Sequence, residues 1–155
     1  MKKFISLSLL ALLPVSADAE IVSFAGSMAN SCTLGVGSDG ALGLASDGKS
    51  LSSQELGGAQ AAITIVSLAN NTITVGAPTL SAYPAGYTAG AETTKIAYQG
   101  DGLLSTVSQD FTASETSFQV GVIPITSVVF DSRTENDAGF VEGQYQIDTV
   151  ITCSP

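Results

Sequence analysis

The sequence predicts an all-β fold, built as a single antiparallel β-sandwich of the immunoglobulin-like or jelly-roll kind. The first observation is a succession of short runs that alternate in polarity or are enriched in β-branched residues. Clusters of Gly, Pro, Asn, Asp and Ser, which favour turns, separate these runs. No helical periodicity alternates with the runs, which argues against an α/β architecture. A length of 155 residues suits one domain of this class.

Ten strands are predicted along the chain. Asn70 and Asn71 stand between two β-branched runs, which predicts a two-residue hairpin. The last run alternates between two faces from Tyr145 to Thr152, as in a half-buried antiparallel strand. The predicted strands cover residues 21–25, 31–36, 41–45, 61–68, 72–77, 94–99, 103–107, 117–123, 125–130 and 144–153.

Two segments are predicted to lie outside the strands. Residues 51–60 have the composition for at most a helical turn, which Gly57 and Gly58 would end. Residues 81–92 are rich in Ala, Gly, Tyr and Pro and are predicted to form a long surface loop. Tyr83 and Tyr87 in this loop are expected to cover a sheet edge, and an exposed binding patch is the alternative.

The N-terminus has the pattern of a cleaved export signal. Lys2 and Lys3 precede an apolar run of 12 residues, which is too short to span a membrane. Ala17 and Ala19 form the small-residue pattern that signal peptidase accepts, so cleavage is predicted after Ala19. Residues 1–19 are therefore interpreted as a bacterial signal peptide and residues 20–155 as the β-sandwich domain. The protein is expected in the periplasm, outside the cell or at its surface.

The two cysteines, Cys32 and Cys153, are predicted to form a disulfide bond. Export places both thiols in an oxidising compartment, and their wide spacing does not suit a redox or metal-binding pair. In the chain-entropy model, a loop of this size is stabilised by about 4 to 5 kcal/mol before any native strain is subtracted. The bond also implies that the first and last strands lie side by side.

Composition excludes several classes of function. A net charge of −9 with only 5 Lys and Arg residues argues against DNA, RNA and anionic lipid as partners. The absence of His removes the usual general base near neutral pH and the common imidazole zinc sites. No set of residues meets the requirements of catalysis, so no catalytic residues and no cofactor are predicted and the protein is expected not to be an enzyme.

Residues 43–50 match the pattern G-x-x-x-x-G-K-[ST] of phosphate-binding loops, and the apolar run before Asp131 resembles its magnesium-binding partner. That loop requires a helix whose N-terminus faces the phosphates, and none is predicted here. Ser46 and Lys49 also match the S-x-x-K element of penicillin-recognising enzymes, which likewise needs a helix. A hairpin turn at Asp47 and Gly48 with Lys49 in solvent is the favoured interpretation.

Three carboxylates lie close together before the last predicted strand. Asp131, Glu135 and Asp137, with Asn136 as a further oxygen donor, fall in a segment predicted to be a loop. Their spacing does not follow the EF-hand pattern, so a solvated acidic cluster is favoured over a calcium site. No metal ligands are therefore assigned. A glycosidase would draw on the same carboxylates, but a chain without Trp offers few sugar platforms.

A family resemblance rests on motifs at the two ends of the mature chain. These are F-x-G-x-x-x-N-S-C from Phe24 to Cys32, and Gly143, Tyr145 and Val150 near the C-terminus. With the signal peptide and the β-rich body, the chain resembles the immunoglobulin-like subunits of chaperone–usher pili and spore-coat-U-like secreted proteins. The resemblance implies a subunit that lacks one strand and accepts the N-terminal extension of the next subunit. The extension would be residues 20–31, with Ile21, Phe24 and Met28 as its apolar positions.

Two hypotheses about function follow. The first is a non-enzymatic exported structural or interaction protein, such as a pilin-like subunit of a bacterial surface fibre or matrix. Its partners would be other protein subunits or a surface structure, with self-assembly by strand addition and no membrane span in the mature chain. The alternative is a monomeric secreted binding module for calcium or carbohydrate, a complete sandwich with Tyr83, Tyr87, Asp131, Glu135 and Asp137 on one rim.

Overall fold

The computed structural model describes residues 32–101 and 106–155, and all the regular secondary structure in these residues is β-strand. The all-β prediction is confirmed. The predicted signal peptide and the predicted strand at residues 21–25 lie outside the described residues, as does most of the predicted strand at 103–107. The strands are β1 (Cys32–Ser38), β2 (Gly43–Leu44), β3 (Ser50–Ser52), β4 (Ala61–Ser67), β5 (Asn71–Val75), β6 (Thr79–Ala82), β7 (Thr93–Asp101), β8 (Thr106–Thr112), β9 (Thr116–Val120), β10 (Ile123–Glu135), β11 (Gln146–Asp148) and β12 (Ile151–Ser154).

The first sheet has seven strands and is organised around the long strand β10. One side of β10 pairs with β4 and then, further along, with β3, while the other side pairs with β7. Strand β1 continues the sheet beyond β4, β2 continues it beyond β3, and β8 continues it beyond β7. All these pairings are antiparallel, as the sequence predicts.

The second layer consists of a three-stranded sheet, β12-β5-β9, and a two-stranded sheet, β11-β6. The two sheets are joined where the chain passes from β5 to β6. There the Gly76 amide donates to the Val150 carbonyl at 2.8 Å, and the Thr149 hydroxyl donates to the Gly76 carbonyl at 2.6 Å. The prediction of one strand over residues 144–153 is wrong in this detail, because two strands, β11 and β12, occupy this segment. The segment that pairs with them is interrupted around Pro78, which has no N–H to donate to a ladder.

The core lies between the two layers. Side chains from both layers pack against one another there, and Tyr98 contacts Phe118 and Phe130 with ring centroids 5.4 and 5.6 Å apart. The Tyr98 hydroxyl is within 3.0 Å of the Thr116 hydroxyl, so its polar end has a partner. The buried residues of this core are Ile65, Ile73, Val75, Ile96, Tyr98, Val120, Val128 and Phe130.

The predicted hairpin at Asn70 and Asn71 is wrong. Strand β4 belongs to the first sheet and β5 to the second, so the chain crosses between layers at this point. The Asn71 amide donates to the Ser67 hydroxyl at 2.7 Å, and that hydroxyl donates to the Ala69 carbonyl at 2.6 Å. Asn71 is buried and stabilises a corner, which its turn propensity alone does not distinguish from a hairpin.

Three other predicted boundaries differ from the structure. Residues 51–60 begin with the end of β3 and continue as turns, with no helical turn. The loop predicted at residues 81–92 contains the end of β6, which pairs with β11. The segment from Asp131 to Glu135 is not a loop, because β10 remains paired there with β7 on one side and mainly with β3 on the other.

Candidate functional site

One open edge of the sandwich lies between β1 of the first sheet and β11 and β12 of the second layer. Among the described residues, β1 pairs only with β4 and β12 pairs only with β5. The backbone N–H and C=O groups along the far sides of both strands are therefore free to bond with another strand. We call this region the open edge.

Val36 marks the open edge most clearly. It lies opposite Ile63 in the register of β1 and β4, and Leu34, two residues earlier, lies opposite the core residue Ile65. Because residues two apart on a strand share a face, Val36 faces inward. Its exposure is nevertheless 79%, whereas Ile65 is 1% exposed. An inward-facing valine is therefore left without a covering layer.

An apolar groove of about 280 Å³ is lined in part by Ile63, the residue that lies opposite Val36. One wall is the inner face of the first sheet, and the other is formed by β11, β12 and the residues that join them. Within the described part of the chain, no Asp, Glu, Lys or Arg lines it. The side chains that line its two walls include Ala61, Ile63, Ile96 and Phe130 on the first and Ile147, Thr149 and Ile151 on the second.

The predicted disulfide bond is present and closes one end of the open edge. Cys32 of β1 and Cys153 of β12 are bonded, with their Cα atoms 6.3 Å apart. A strand inserted between two others would hold them about 9.5 Å apart, twice the usual spacing of paired strands, so none fits at this point. The first and last described strands are neighbours as predicted, but they belong to different sheets, and the bond joins the two layers.

The nucleotide-loop pattern at residues 43–50 forms a β-hairpin. Strands β2 and β3 pair through Leu44 and Leu51, and the Ala45 amide donates to the Ser50 carbonyl at 2.8 Å. Gly48 has a φ of +72°, which glycine adopts without strain in a tight turn. The hairpin prediction is confirmed, with Lys49 exposed to solvent. No helix follows the turn to receive a phosphate.

The predicted acidic cluster is divided among different partners. Asp131 accepts hydrogen bonds from the Ser53 hydroxyl and the Gln60 amide, each at 2.7 Å. Glu135 forms an ion pair with Lys95 at 3.1 Å and a second with Arg133 at 3.4 Å. Within residues 32–101 and 106–155, no group of three or more His, Cys, Asp or Glu side chains is arranged to hold a metal ion. The calcium alternative therefore draws no support from the described side chains.

The two loop tyrosines lie in an aromatic cluster at the end of the second layer. Tyr87 stacks on Phe140 with centroids 5.6 Å apart, and Tyr145 meets the Tyr87 ring edge-on at 5.3 Å. Tyr83 packs against Tyr87 at 5.5 Å and remains 47% exposed. Tyr87 itself is buried within this cluster.

Hydrogen bonds anchor this cluster to the loops around it. The Asn136 amide donates to the Tyr87 hydroxyl at 2.8 Å, and that hydroxyl donates to the Glu92 carboxylate at 3.3 Å. Burial raises the pKa of Tyr87, and the Glu92 charge adds to this rise, whereas the Asn136 hydrogen bond acts in the opposite direction. Partial burial would raise the pKa of Glu92, but hydrogen bonds from the backbone amides of residues 90–92 outweigh it and lower the pKa.

The groove brings together residues that the sequence prediction did not group. Ile63, Ile147 and Ile151 are each recognisable as apolar strand positions, but their common site depends on which strands form the two edges. Comparisons of the chain with protein-family models, with curated proteins and with solved structures found no match. Over the described part of the chain, no helix has the length and apolar character needed to cross a membrane.

Proposed function

We propose that this protein is a non-enzymatic exported subunit of a bacterial surface fibre or matrix, and that its open edge accepts a strand from another subunit, as in pilins. The proposal rests on Val36, which faces inward but is exposed, and whose register partner Ile63 lines an apolar groove. A sandwich whose edge were complete would cover the Val36 side chain. Export, and a location in the periplasm, outside the cell or at its surface, belong to the same proposal and rest on the signal-peptide pattern.

A strand added to β1 would both pair with its backbone and fill the groove. Its backbone would pair with the free N–H and C=O groups of β1, and alternate side chains would enter the groove. The Cys32–Cys153 bond excludes it from one end, so the contact would run from about Leu34 to Ser38 and onward toward Ala41. Pairing of this kind derives affinity from main-chain hydrogen bonds and specificity from the side chains that fill the groove.

The occupant we propose is residues 20–31 of a second copy of the chain. Of the predicted apolar positions, Phe24 and Met28 would share one face in an extended conformation, together with Val22, whereas Ile21 would lie on the opposite face. Residues 21–31 carry no charge, and no charged side chain among the described residues lines the groove. The segment therefore suits the groove, although two copies with a net charge of −9 repel each other elsewhere.

Light scattering coupled to size-exclusion chromatography tests this proposal on the oxidised mature protein, residues 20–155. The expected result is a series of oligomers that disappears when residues 20–31 are deleted. Phe24→Asp should also give monomers, because it places a charge in the groove. Ser23→Asp is the matched control on the opposite face of the same segment and should retain the oligomers. Oligomers that persist after the deletion, or a wild-type protein that remains monomeric at every concentration, would contradict the proposal.

A further inference from the structure

A second concave region lies on the outer face of the first sheet, away from the open edge. It has a volume of about 410 Å³ and lies above β7, between β8 on one side and β10 with the β3–β4 loop on the other. We call it the amide-lined depression. The polar residues that line it include Gln54, Gln60, Gln99, Ser108, Asp110 and Asp131, and Phe111 provides an aromatic ring.

The depression exists because of a small residue and a β-bulge. Ala97 of β7 lies opposite Asp131 of β10 and supplies only a methyl group at the base. On the other side, Ile96 pairs with Thr112 and Tyr98 pairs with Gln109, so that Asp110 and Phe111 together oppose the single residue Ala97. Such bulges change the direction of side chains and are frequent beside binding sites. Here the bulge places a carboxylate and an aromatic ring along one wall.

The opposite wall contains a carboxylate that is already oriented. Asp131 accepts hydrogen bonds from Ser53 and Gln60, each at 2.7 Å, and two more lone pairs remain on its oxygens. Gln54 and Gln99 are exposed at the rim. An amide group both donates and accepts hydrogen bonds, and so does a sugar hydroxyl. The walls therefore offer donors and acceptors in the mixture that a polyhydroxylated ligand needs.

The charge of the site restricts the ligand further. None of the described Lys and Arg residues lines the depression, and the chain has a net charge of −9, so an anionic ligand would be repelled. The Phe111 ring is held by the Arg133 guanidinium, which lies 4.6 Å from its centroid. The ring face away from Arg133 would give the C–H groups of a sugar an apolar surface. We propose that the amide-lined depression binds a neutral oligosaccharide.

This site is separate from the strand-accepting groove. The groove is lined by inner-face residues such as Ile63 and Phe130, whereas the depression is lined by outer-face residues such as Gln99 and Asp131. A subunit in a fibre would keep the depression exposed after its open edge was filled. The two proposals therefore fail or succeed independently.

An array of neutral and anionic glycans, probed with the oxidised mature protein, identifies the ligand. Titration of the strongest neutral glycan then compares the wild type with Ala97→Leu, which fills the base of the depression, and with Gln99→Ala, which removes one rim amide. We expect Ala97→Leu to weaken binding at least about tenfold and Gln99→Ala to weaken it several-fold. Gln119→Ala is the matched control, because Gln119 is an exposed strand glutamine in the second layer, and it should leave binding unchanged.

Thermal denaturation of each variant confirms that the fold is retained, and the oligomer assay described above reports separately on the groove. Binding to no neutral glycan, binding to anionic glycans alone, or binding to peptides alone would overturn the proposal. Neutral glycan binding that is unchanged in a folded Ala97→Leu variant would overturn it as well, because the ligand would then lie elsewhere.

Discussion

Tyr98 and Val36 both face the space between the two layers, yet their exposures are 4% and 79%. Around Tyr98, β7, β9 and β10 contribute side chains to both sides of the core, and the aromatic rings of Phe118 and Phe130 contact it. Around Val36, the first sheet ends at β1 and no described strand covers the gap to β12. The closed side and the open edge thus consist of similar residues and differ only in whether a strand covers them.

The closed side contributes to the stability of the domain, whereas the open edge is available for interaction. The closed side buries enough apolar surface to stabilise the domain, and the Cys32–Cys153 bond holds the two layers together at the open edge. An exposed edge strand with an apolar neighbour is a site where other strands add, and proteins that do not use such an edge usually protect it with charge or proline. Among the described residues, neither charge nor proline occurs in β1 or lines the groove.

Loss of the disulfide bond at the open edge should reduce stability more than any other change. Cys153→Ser removes a bond between residues 121 positions apart. We expect a loss of about 4 to 5 kcal/mol in the free energy of unfolding, or roughly 10 to 20 °C in melting temperature, because the unfolded chain regains its loop entropy. Thermal denaturation measures it, and fully reduced wild type should behave like the variant. An unchanged melting temperature would contradict the structural role of this bond.

A substitution in the core should cause the next largest loss of stability. Ile73 is 0% exposed in the middle of β5, so Ile73→Ala leaves a cavity that the surrounding side chains fill only in part. We expect a loss of about 2 to 5 kcal/mol in the free energy of unfolding, as measured by urea denaturation. A loss below about 1 kcal/mol would mean that the core at this point is not packed as described.

Substitution of Val36 distinguishes the two regions. Val36→Ala should change the free energy of unfolding of the monomer by less than about 0.5 kcal/mol, because the side chain is already in solvent. Val36→Asp should leave the monomer folded and abolish the oligomers, because it adds a charge where the partner strand packs. Val122, 63% exposed in the β9–β10 connection, provides the control Val122→Asp, which should retain the oligomers. Equal effects of Val36→Asp and Val122→Asp on assembly would show that the open edge does not differ from the rest of the surface.

The smallest change in stability is expected when a hydrogen bond to the aromatic cluster is removed. Tyr145 of this cluster also lines the groove. The pKa of Glu92 is lowered in the folded protein, so its ionised form stabilises the fold above the ordinary pKa of the group. That contribution is lost as the pH falls through the lowered value. Glu92→Gln should therefore reduce the melting temperature slightly at about pH 7, and the difference should vanish in strong acid. If the difference in melting temperature grew on acidification, the pKa of Glu92 would not be lowered in the folded protein.

The sequence predicts the strands better than it predicts their partners. Alternation along residues 145–152 is visible in the structure as alternating exposure, although the ladder breaks at Thr149. Asn70 and Asn71 have the composition of a turn, but only tertiary packing determines that the chain crosses between sheets there. The disulfide was predictable because the chain has only two cysteines. The groove and the depression were not, since they depend on a missing neighbour beside Val36 and on a bulge opposite Ala97.

Amide hydrogen exchange shows whether the open edge accepts a strand. The oxidised mature protein is measured alone, with an excess of a synthetic peptide of residues 20–31, and with the same peptide carrying Phe24→Asp. We expect the first peptide to slow exchange along β1 from Leu34 to Ser38, while β9, at the opposite edge of the second layer, is unaffected. The charged peptide should have no effect. Unchanged exchange along β1 with the native peptide, or equal protection by both peptides, would contradict the account.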